Sequence, residues 1–195
     1  MTAAMNDHEV LGALQDADAI LTGHFSLTSG RHSDRYVQCA RVLEDPALVT
    51  RLAGAIVERL GDRGIDLVAA PAVGGIIIGF AVAQALGVKF IFSEREGGAM
   101  TFRRGFDVAP GERVLVVEDV VTTGGSVAEV VELVRSAGGD PVAVASLIDR
   151  GGKKAFDVEF LPLLKLEVES WAPDECRLCA EQMPLYAPGS RSLGK

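Results

Sequence analysis

Short apolar runs alternate along this chain with longer segments in which apolar residues recur at helical spacing. Four apolar runs have the length of buried strands, at residues 66–70, 88–92, 113–118 and 141–148. Three segments predict helices with an apolar face, at residues 46–60, 76–86 and 127–137. Because buried strands that alternate with helices are typical of parallel sheets, the pattern predicts an α/β fold with a mostly parallel central sheet flanked by helices.

The two ends of the chain are less regular than this central part. Residues 6–21 predict a first helix, and residues 25–40 predict short extended pieces around a Ser-Gly turn. No repeat or low-complexity linker divides the chain, so we expect a single domain over residues 1–187. The tail 188–195 is rich in Gly, Ser and basic residues, which predicts disorder.

Composition and charge narrow the class of protein. The 195 residues are 48% apolar and 24% charged, which is typical of a globular domain, and no segment is apolar for long enough to cross a membrane. The net charge of −8 argues against a nucleic-acid partner. Residues 1–18 carry acids and lack the basic start and apolar centre of a signal peptide, so the sequence predicts a cytoplasmic protein.

Residues 113–137 carry most of the chemical information. The strand there ends in two adjacent acids, Glu118 and Asp119, and a turn of small residues, 122–126, leads into the following helix. Backbone N–H groups at the start of a helix are unpaired and favour a phosphate, and glycines let the backbone approach it closely. The order of strand, acid pair, turn and helix therefore predicts a phosphate-binding loop with two carboxylates at its edge.

The acid pair indicates what else the ligand carries. Carboxylates repel phosphate, so Glu118 and Asp119 should face sugar hydroxyls, and a phosphate near a vicinal diol is a ribose 5-phosphate. The chain has neither G-x-x-x-x-G-K-[ST] nor G-x-G-x-x-G after a strand, the two commoner phosphate-binding patterns. An ordinary strand–helix turn would explain the glycines but not two ionisable side chains at the end of a buried strand.

The same segment resembles the phosphoribosyl diphosphate (PRPP) binding motif of the type I phosphoribosyltransferases. The resemblance implies the fold of that family, in which a small cap built from the N-terminal segment and the C-terminal region lies over the sheet edge. It also implies Mg²⁺ as cofactor, bound chiefly through substrate and water oxygens. It assigns PRPP binding to Arg95, Glu118, Asp119, Val120, Val121, Thr122, Thr123, Gly124, Gly125 and Ser126.

Two further segments resemble those members of the family that use orotate as the base. Residues 25–30, followed by Ser33 and Tyr36, are similar to the segment that borders the orotate pocket. Residues 146–150 are similar to the strand whose terminal arginine contacts orotate. The resemblance therefore extends over roughly residues 20–150.

The resemblance implies an enzyme that moves the 5-phosphoribosyl group of PRPP to orotate and releases pyrophosphate and orotidine 5′-monophosphate. Glu118 and Asp119 would hold the 2′ and 3′ hydroxyls and offset the charge of an oxocarbenium-like transition state. Arg150 is our candidate for the orotate carboxylate, because a guanidinium binds a carboxylate with two hydrogen bonds, and Thr122 can contact the base. The alternative for Arg150 is an ordinary surface arginine at a strand end.

Two loops should meet the motif, since ligands of such sheets lie beyond the carboxyl ends of the strands. Residues 71–75 predict either a second anion-binding turn or a plain strand–helix connection. Residues 93–112 predict a long lid whose Arg95, Arg103 and Arg104 neutralise the departing pyrophosphate, or else a solvated surface loop. In the family this lid reaches the neighbouring subunit's site, which implies a homodimer.

The chain departs from the orotate pattern at several positions. Its lid lacks the lysines and the histidine that the family carries there, and Arg103 and Arg104 replace them only by charge. Thr28 and Gly74 stand where lysines are common. Two alternatives follow, namely a phosphoribosyltransferase that uses a purine base and would not need Arg150, and a noncatalytic PRPP-binding regulator.

Three cysteines stay outside this assignment. We expect Cys39 to be a core or edge residue. Cys176 and Cys179 form a C-x-x-C, which is half of a zinc site, and the histidines are so distant in sequence that only folding or a dimer partner could complete it. The sequence therefore favours reduced structural thiols, and we assign no metal site.

Overall fold

A six-stranded central sheet organises the protein in the computed structural model, which describes residues 5–27 and 29–188. The strands are β1 (Ile20–Ser26), β2 (His32–Val37), β3 (Leu67–Pro71), β4 (Lys89–Glu96), β5 (Ala99–Phe102), β6 (Arg113–Val121), β7 (Asp140–Asp149) and β8 (Glu159–Lys165). The helices are α1 (Asp7–Asp16), α2 (Ala40–Leu43), α3 (Pro46–Leu60), α4 (Gly74–Leu86), α5 (Gly125–Ser136) and α6 (Arg177–Ala180), with a 3-10 turn at Pro173–Glu175. The predicted tail, from residue 189 onward, and Thr28 lie outside the described residues.

The central sheet is mostly parallel, as the sequence predicts. Its strand order is β5-β4-β3-β6-β7-β8, and every neighbouring pair is parallel except β4 and β5. β6 lies between β3 and β7, so its carboxyl end meets the loops that follow both neighbours. This position makes the end of β6 the centre of any site at this edge of the sheet.

Helices cover both faces of the sheet and create two apolar clusters. Along β6 the side chains alternate, because Leu115 and Val117 join the cluster with α3 and α4, whereas Val114 and Val116 join the cluster with α5. All four are fully buried, and burying one side chain of this size contributes roughly 1.5–3 kcal/mol. The continuous apolar run that predicts this strand therefore reflects burial on both faces.

Helix α3 begins and ends where the sequence predicts. Asp45 caps it by accepting hydrogen bonds from the backbone N–H groups of Ala47 (2.9 Å) and Leu48 (3.2 Å), and Pro46 occupies its first turn. Within the described ranges, no helix is both long and apolar enough to span a membrane.

A separate hairpin and the C-terminal segment form the cap. β1 and β2 pair antiparallel, outside the central sheet. Tyr186 makes two backbone hydrogen bonds with β1, and Trp171 makes two with His32 of β2, all of 2.8 Å. The cap that the resemblance implies, built from both ends of the chain, is therefore confirmed.

Two sequence predictions, for residues 6–21 and for residues 93–112, are wrong in part. Helix α1 ends at Asp16 rather than at residue 21, because the backbone turns at Asp18 (φ 52°) and β1 begins two residues later. The polar segment 93–112 is not one open loop. Its first ten residues complete β4 and return as β5 through Gly97 and Gly98, whose positive φ angles (59° and 93°) suit a tight hairpin turn.

Strand β8 is the element that the sequence analysis missed. Residues 159–165 lie in the C-terminal region, which the resemblance places in the cap, but they add a parallel strand beside β7 at the edge of the central sheet. Pro162 interrupts the strand pattern in the sequence. An edge strand tolerates it because the missing N–H falls on the unpaired side.

Candidate active site

The carboxyl ends of β3, β6 and β7 bring the predicted site residues together. Glu118 and Asp119 lie inside β6, which continues to Val121 instead of ending at the acids. Both acids are half-buried, and Glu118 is the register partner of Ser146 in β7. The strand therefore holds both carboxyl groups on a rigid backbone.

The two carboxyl groups interact closely with each other and with the strand backbone. The N–H of Asp119 donates to Glu118 Oε1 (3.0 Å), and the N–H of Val120 donates to Asp119 Oδ1 (2.7 Å). Burial, and then the neighbouring Asp119, raise the pKa of Glu118 from 4.5 to about 9. The pair therefore retains a proton near neutral pH, and a ligand that donates hydrogen bonds or brings a cation would favour its release.

The turn 71–75 packs directly against this acid pair. A Cβ atom added at Gly74 would lie 2.7 Å from Asp119 Oδ1, and one added at Gly75 would lie 2.9 Å from the carbonyl oxygen of Val117. Both distances are shorter than real Cβ contacts allow. A side chain at position 75 would collide with the backbone, and one at position 74 would require the turn or the Asp119 carboxyl group to move. The prediction that the turn 71–75 meets the motif is confirmed, and a lysine at position 74 would displace the carboxyl group of Asp119 from this arrangement.

The turn 122–126 and the start of α5 have the form of a phosphate-binding loop. Gly124 has a left-handed backbone (φ 77°), and a Cβ there would lie 2.5 Å from the ring of Phe156, so only glycine fits. The N–H of Ala128 donates to Gly124 O (2.8 Å), which starts the helical hydrogen bonds of α5. The N–H groups before Ala128 lack an acceptor within the helix, and this is the arrangement that binds anions.

The side chains of the motif differ in their exposure. Thr122 and Thr123 are exposed, so their hydroxyl groups are open to a ligand, and Ser126 is half-buried in the first turn of α5. Val121 is only 1% exposed and packs in the cluster with α5. Its backbone alone can therefore contact a ligand.

Lys154, which the sequence analysis missed, binds the turn 122–126 through a backbone carbonyl oxygen. Lys154 Nζ donates to the carbonyl oxygens of Thr122 and Gly151 (2.8 Å each) and forms an ion pair with the buried carboxylate of Asp149 (2.5 Å). A buried carboxylate needs such a partner. In the sequence this lysine is one of two that follow a pair of glycines, and that pattern does not indicate these contacts.

Arg150 follows β7 directly and contacts the end of β6. Its backbone N–H donates to Val121 O (2.8 Å). Its Nε is buried and has no hydrogen-bond partner among the residues that the structure describes. Because an unpaired buried donor is costly, a carboxylate on a ligand would stabilise the guanidinium here.

The three arginines predicted for the lid pair with glutamates. All three are exposed, and exposed ion pairs typically contribute about 1 kcal/mol or less. The hairpin β4–β5 and the residues after it present them, so their contact with pyrophosphate stays a prediction. The pairs are Arg95 with Glu129 (2.8 and 3.2 Å), Arg104 with Glu94 (2.9 Å twice) and Arg103 with Glu96 (3.7 Å).

The segment that resembles the orotate-pocket border forms the end of β1 and the turn after it. Phe25 packs against Tyr36 with a ring-centroid distance of 5.7 Å, and the buried Ser33 hydroxyl donates to the carbonyl oxygen of Glu169 (2.7 Å). Thr28, within this turn, lies outside the described residues. The predicted contact of this segment with orotate stays a prediction.

Cys39 is buried, as the sequence predicts, and lies near the acid pair. Burial, followed by the charges of Asp119 and Glu118, raises the pKa of its thiol well above the ordinary value. The thiol therefore stays protonated and is not a nucleophile at neutral pH.

A second group of ligand-type side chains lies in the cap. The ligand atoms of His24, His32, Cys176 and Cys179 all lie within 4.8 Å of one another. Folding thus supplies the second half of the pattern that the C-x-x-C alone left open. The C-x-x-C was the available signal, whereas the two histidines are about 150 residues away and could not be chosen from the sequence.

Comparison with known proteins gives matches over the fold and the site. Residues 39–171 match the family described as "Phosphoribosyl transferase domain". The chain is 52% identical over 190 residues to the orotate phosphoribosyltransferase of Chlorobaculum parvum, covering 96% of this chain and 98% of the relative. It is 52% identical over 191 residues to that of Heliobacterium modesticaldum, covering 96% and 100%. The solved orotate phosphoribosyltransferase of Aeropyrum pernix is similar with a TM-score of 0.69 and 27% identity, covering 81% of this chain and 94% of that one.

Proposed function

We propose that this chain transfers the 5-phosphoribosyl group of PRPP to orotate. It belongs to the phosphoribosyltransferase family and matches its orotate phosphoribosyltransferase members over nearly its whole length. The products are orotidine 5′-monophosphate and pyrophosphate. The observation that carries the mechanism is the pair Glu118 and Asp119, held in β6 beside a glycine turn and at the edge of a phosphate-binding loop.

The acid pair binds the ribose in this mechanism. Glu118 and Asp119 accept hydrogen bonds from the 2′ and 3′ hydroxyl groups, and their charge offsets the positive charge that builds on the ribose ring in the transition state. The hydroxyl donors replace the proton that the pair retains near neutral pH. No nucleophilic side chain is needed, since the base nitrogen of orotate attacks the sugar directly.

The two glycine-containing turns bind the two phosphate ends of PRPP. The turn 122–126 and the first N–H groups of α5 hold the 5′-phosphate. The turn 71–75 holds the pyrophosphate next to the acid pair, where Gly74 and Gly75 keep the backbone close. Arg95, Arg103 and Arg104, which lie on the surface in exposed ion pairs, are available to exchange their glutamates for the leaving pyrophosphate.

Mg²⁺ fits this site as the cofactor. Glu118 and Asp119 offer the hard oxygen donors that this ion prefers. Burial and the adjacent Asp119 raise the pKa of Glu118, and a cation bound next to the pair would lower it. When bound with PRPP, the ion would stabilise the negative charge of the leaving pyrophosphate. The acid pair of the chain itself orients the ribose.

Arg150 recognises the carboxylate of orotate. Its buried Nε, which has no partner in the described part of the chain, is a donor that a carboxylate would satisfy. The exposed Thr122 hydroxyl lies at the same end of the sheet and contacts the base. A purine base brings no carboxylate, so this donor favours orotate over the purine alternative.

A homodimer is part of the proposal. Val73, Ile77 and Phe80 are apolar residues at helical spacing at the start of α4, and they are 81%, 48% and 58% exposed. Large apolar side chains that share one exposed helix face indicate a protein interface. The interface would begin at the turn 71–75, so each site would lie next to the partner chain.

The enzyme works in the cytoplasm in this proposal. Its three cysteines, Cys39, Cys176 and Cys179, are all free of disulfides. Free thiols are typical of reducing compartments.

The test is a pyrophosphate-release assay with PRPP and Mg²⁺, in which orotate is compared with uracil, adenine, hypoxanthine and xanthine. Of these five bases, we expect only orotate to give pyrophosphate release. We expect Arg150→Ala to raise the KM for orotate by about tenfold to a hundredfold and to leave the KM for PRPP nearly unchanged, since the substitution removes a charge-assisted pair with the base only.

Arg51→Ala, at an exposed arginine in α3, is the matched control and should behave as the wild type. Release with a purine base that survives Arg150→Ala would favour the purine alternative. PRPP binding by calorimetry with no release for any base would favour the regulator.

A further inference from the structure

We propose that the cap holds a structural Zn²⁺ ion bound by His24, His32, Cys176 and Cys179. Phosphoribosyl transfer does not call for such a site, and the four residues belong to the cap rather than to the sheet edge that carries the acid pair. The chemical class is that of closed Cys₂His₂ zinc sites, in which all ligands come from the protein.

Four of the six distances between the ligand atoms are those of a tetrahedral zinc site, and all six are within 4.8 Å. His24 Nε2 lies 3.1 Å from His32 Nδ1, 3.4 Å from Cys176 Sγ and 3.7 Å from Cys179 Sγ. His32 Nδ1 lies 3.2 Å from Cys179 Sγ. Zinc bonds of about 2.0–2.1 Å to nitrogen and about 2.3 Å to sulfur place tetrahedral ligands roughly 3.4 Å apart for two nitrogens and roughly 3.6 Å apart for nitrogen and sulfur. The four observed distances are close to these values.

Hydrogen bonding alone does not account for the cluster. His24 Nδ1 lies 2.9 Å from the carbonyl oxygen of Met183, an acceptor only, so Nδ1 carries the proton. In the neutral ring His24 Nε2 then has a single lone pair, and His32 Nδ1 and two thiol sulfurs all approach it within 3.7 Å. One lone pair accepts one good hydrogen bond, whereas a cation at the centre satisfies all four ligand atoms at once.

The carbonyl oxygen of Met183 also supplies the outer contact that zinc histidines usually have. A zinc-bound histidine nearly always donates its other N–H to a carbonyl or a carboxylate, which fixes the ring and the tautomer. His24, His32 and Cys176 are 1%, 7% and 3% exposed, so they can exclude water from the ion. Cys179 is exposed and leaves a path by which the metal can enter.

The position of the cluster gives the ion a structural role. His24 belongs to β1 and His32 to β2, and the two cysteines lie at and within the short helix α6. One ion would therefore join the N-terminal hairpin to a C-terminal segment in which most residues from 172 to 188 are exposed. A segment with so little apolar burial gains its stability from such a link, because the energy of metal binding becomes folding energy.

The test is the zinc content of the untagged full-length protein, purified without chelators and measured by inductively coupled plasma mass spectrometry. We expect about one zinc per chain, as a single Cys₂His₂ site requires. Cys179→Ser and His24→Gln should lose the zinc and lower the melting temperature, and a chelator should lower the melting temperature of the wild type. Cys39→Ser and His8→Gln, at a cysteine and a histidine outside the cluster, are the matched controls and should keep the metal.

Co²⁺ added to the metal-free wild type provides a measurement that depends neither on catalysis nor on the folding of any variant. We expect thiolate-to-cobalt charge-transfer absorption and the intense visible bands of tetrahedral Co²⁺, both displaced by one equivalent of Zn²⁺ per chain. Wild-type protein that contains no stoichiometric zinc and develops no such bands would overturn the proposal, and so would full zinc retention by Cys179→Ser. A stoichiometric metal other than zinc would overturn the identity of the ion.

Discussion

Glu118 lies where burial and a neighbouring carboxyl group both oppose its ionisation. Its pKa of about 9 in the folded protein, against 4.5 for the free side chain, means that the folded state holds a proton that the unfolded state has released at neutral pH. The free energy of unfolding therefore falls as the pH rises from 4.5 to about 9. In the proposed mechanism the site carries this cost because two carboxylates bind the ribose of PRPP, which is a common trade between stability and activity.

The first prediction is that Glu118→Gln makes the protein more stable and less active. The amide keeps the shape of the carboxyl group but cannot ionise, so the free energy of unfolding at pH 8 should rise by roughly 1–3 kcal/mol and change little at pH 4. The rate of phosphoribosyl transfer should fall by about tenfold or more, because one charge that stabilises the transition state is lost. Denaturant unfolding at both pH values and the pyrophosphate-release assay measure the two effects.

Glu58→Gln is the control for this prediction. Glu58 is an exposed glutamate on α3, so its substitution should leave both the stability and the rate near wild-type values. A Glu118→Gln variant that is equally destabilised at pH 4 and pH 8 would contradict the assigned pKa. Glu118 would then stabilise the fold through its hydrogen bonds, and its carboxyl group would not have a raised pKa.

The unit formed by β6, the turn 122–126 and α5 is the element that could be predicted best from the sequence. A central parallel strand is buried on both faces, so it appears as an unbroken apolar run, and the helix after it shows one apolar face. Edge elements lack this signal. The segment 93–102 is half-exposed and β8 contains Pro162, so the apolar pattern predicts a strand at neither place.

Contacts between elements were the part of the site that the sequence could not supply. Gly74 lies against Asp119, and Lys154 donates to the carbonyl oxygen of Thr122, only because loops after different strands converge at one edge of the sheet. Local patterns locate each loop and the topology rule brings the loops together, but neither says which side chain contacts which atom. Arg95, Arg103 and Arg104 show the same limit, since their glutamate partners depend on a hairpin that the polar pattern does not predict.

The second prediction concerns the turn 71–75 and tests that convergence. In Gly74→Ala the new methyl group would lie 2.7 Å from Asp119 Oδ1, so either the turn or the carboxyl group must move. We expect kcat/KM for PRPP to fall by about tenfold or more, since a displacement near 1 Å at a reacting centre is costly. Steady-state kinetics and the melting temperature separate the local effect from general unfolding.

Gly54→Ala is the matched substitution for comparison. Gly54 lies in α3 with no heavy atom within 4 Å of an added Cβ, so alanine should stabilise the helix by up to about 1 kcal/mol and leave the kinetics unchanged. If Gly74→Ala keeps wild-type kinetics as well, the turn does not touch PRPP. The plain strand–helix connection would then be the correct interpretation of residues 71–75.

At the scale of the whole molecule, the sheet and the cap are stabilised in different ways. The sheet has two large apolar clusters, one on each face. The C-terminal part of the cap has few buried side chains. It contacts the rest of the cap through backbone pairing with β1 and β2 and through the His24, His32, Cys176 and Cys179 cluster. Apolar periodicity predicts the first kind of structure, but a link between residues about 150 positions apart has no local pattern.

The start of α4 is where the single chain leaves apolar surface exposed. Its buried residues, such as Ile78 and Val82, pack into the core, and Val73, Ile77 and Phe80 lie on the exposed side. Phe80 is partly supported by the ring of Phe90, at a centroid distance of 6.1 Å. Ile77 is therefore the better position for a test, because its replacement should disturb the core of the single chain least.

The third prediction is that Ile77→Asp separates a wild-type homodimer into single chains. A carboxylate at the centre of an apolar contact would be desolvated without a partner, which typically costs several kcal/mol and raises the dissociation constant by about a hundredfold or more. Light scattering after size-exclusion chromatography measures the mass. Leu185→Asp, at a half-exposed leucine of the cap, is the control and should stay dimeric. A wild type that is monomeric at micromolar concentration would remove the dimer from the proposal.

Dissociation by Leu185→Asp alone would move the interface from α4 to the cap, and the turn 71–75 would then face solvent rather than a partner chain.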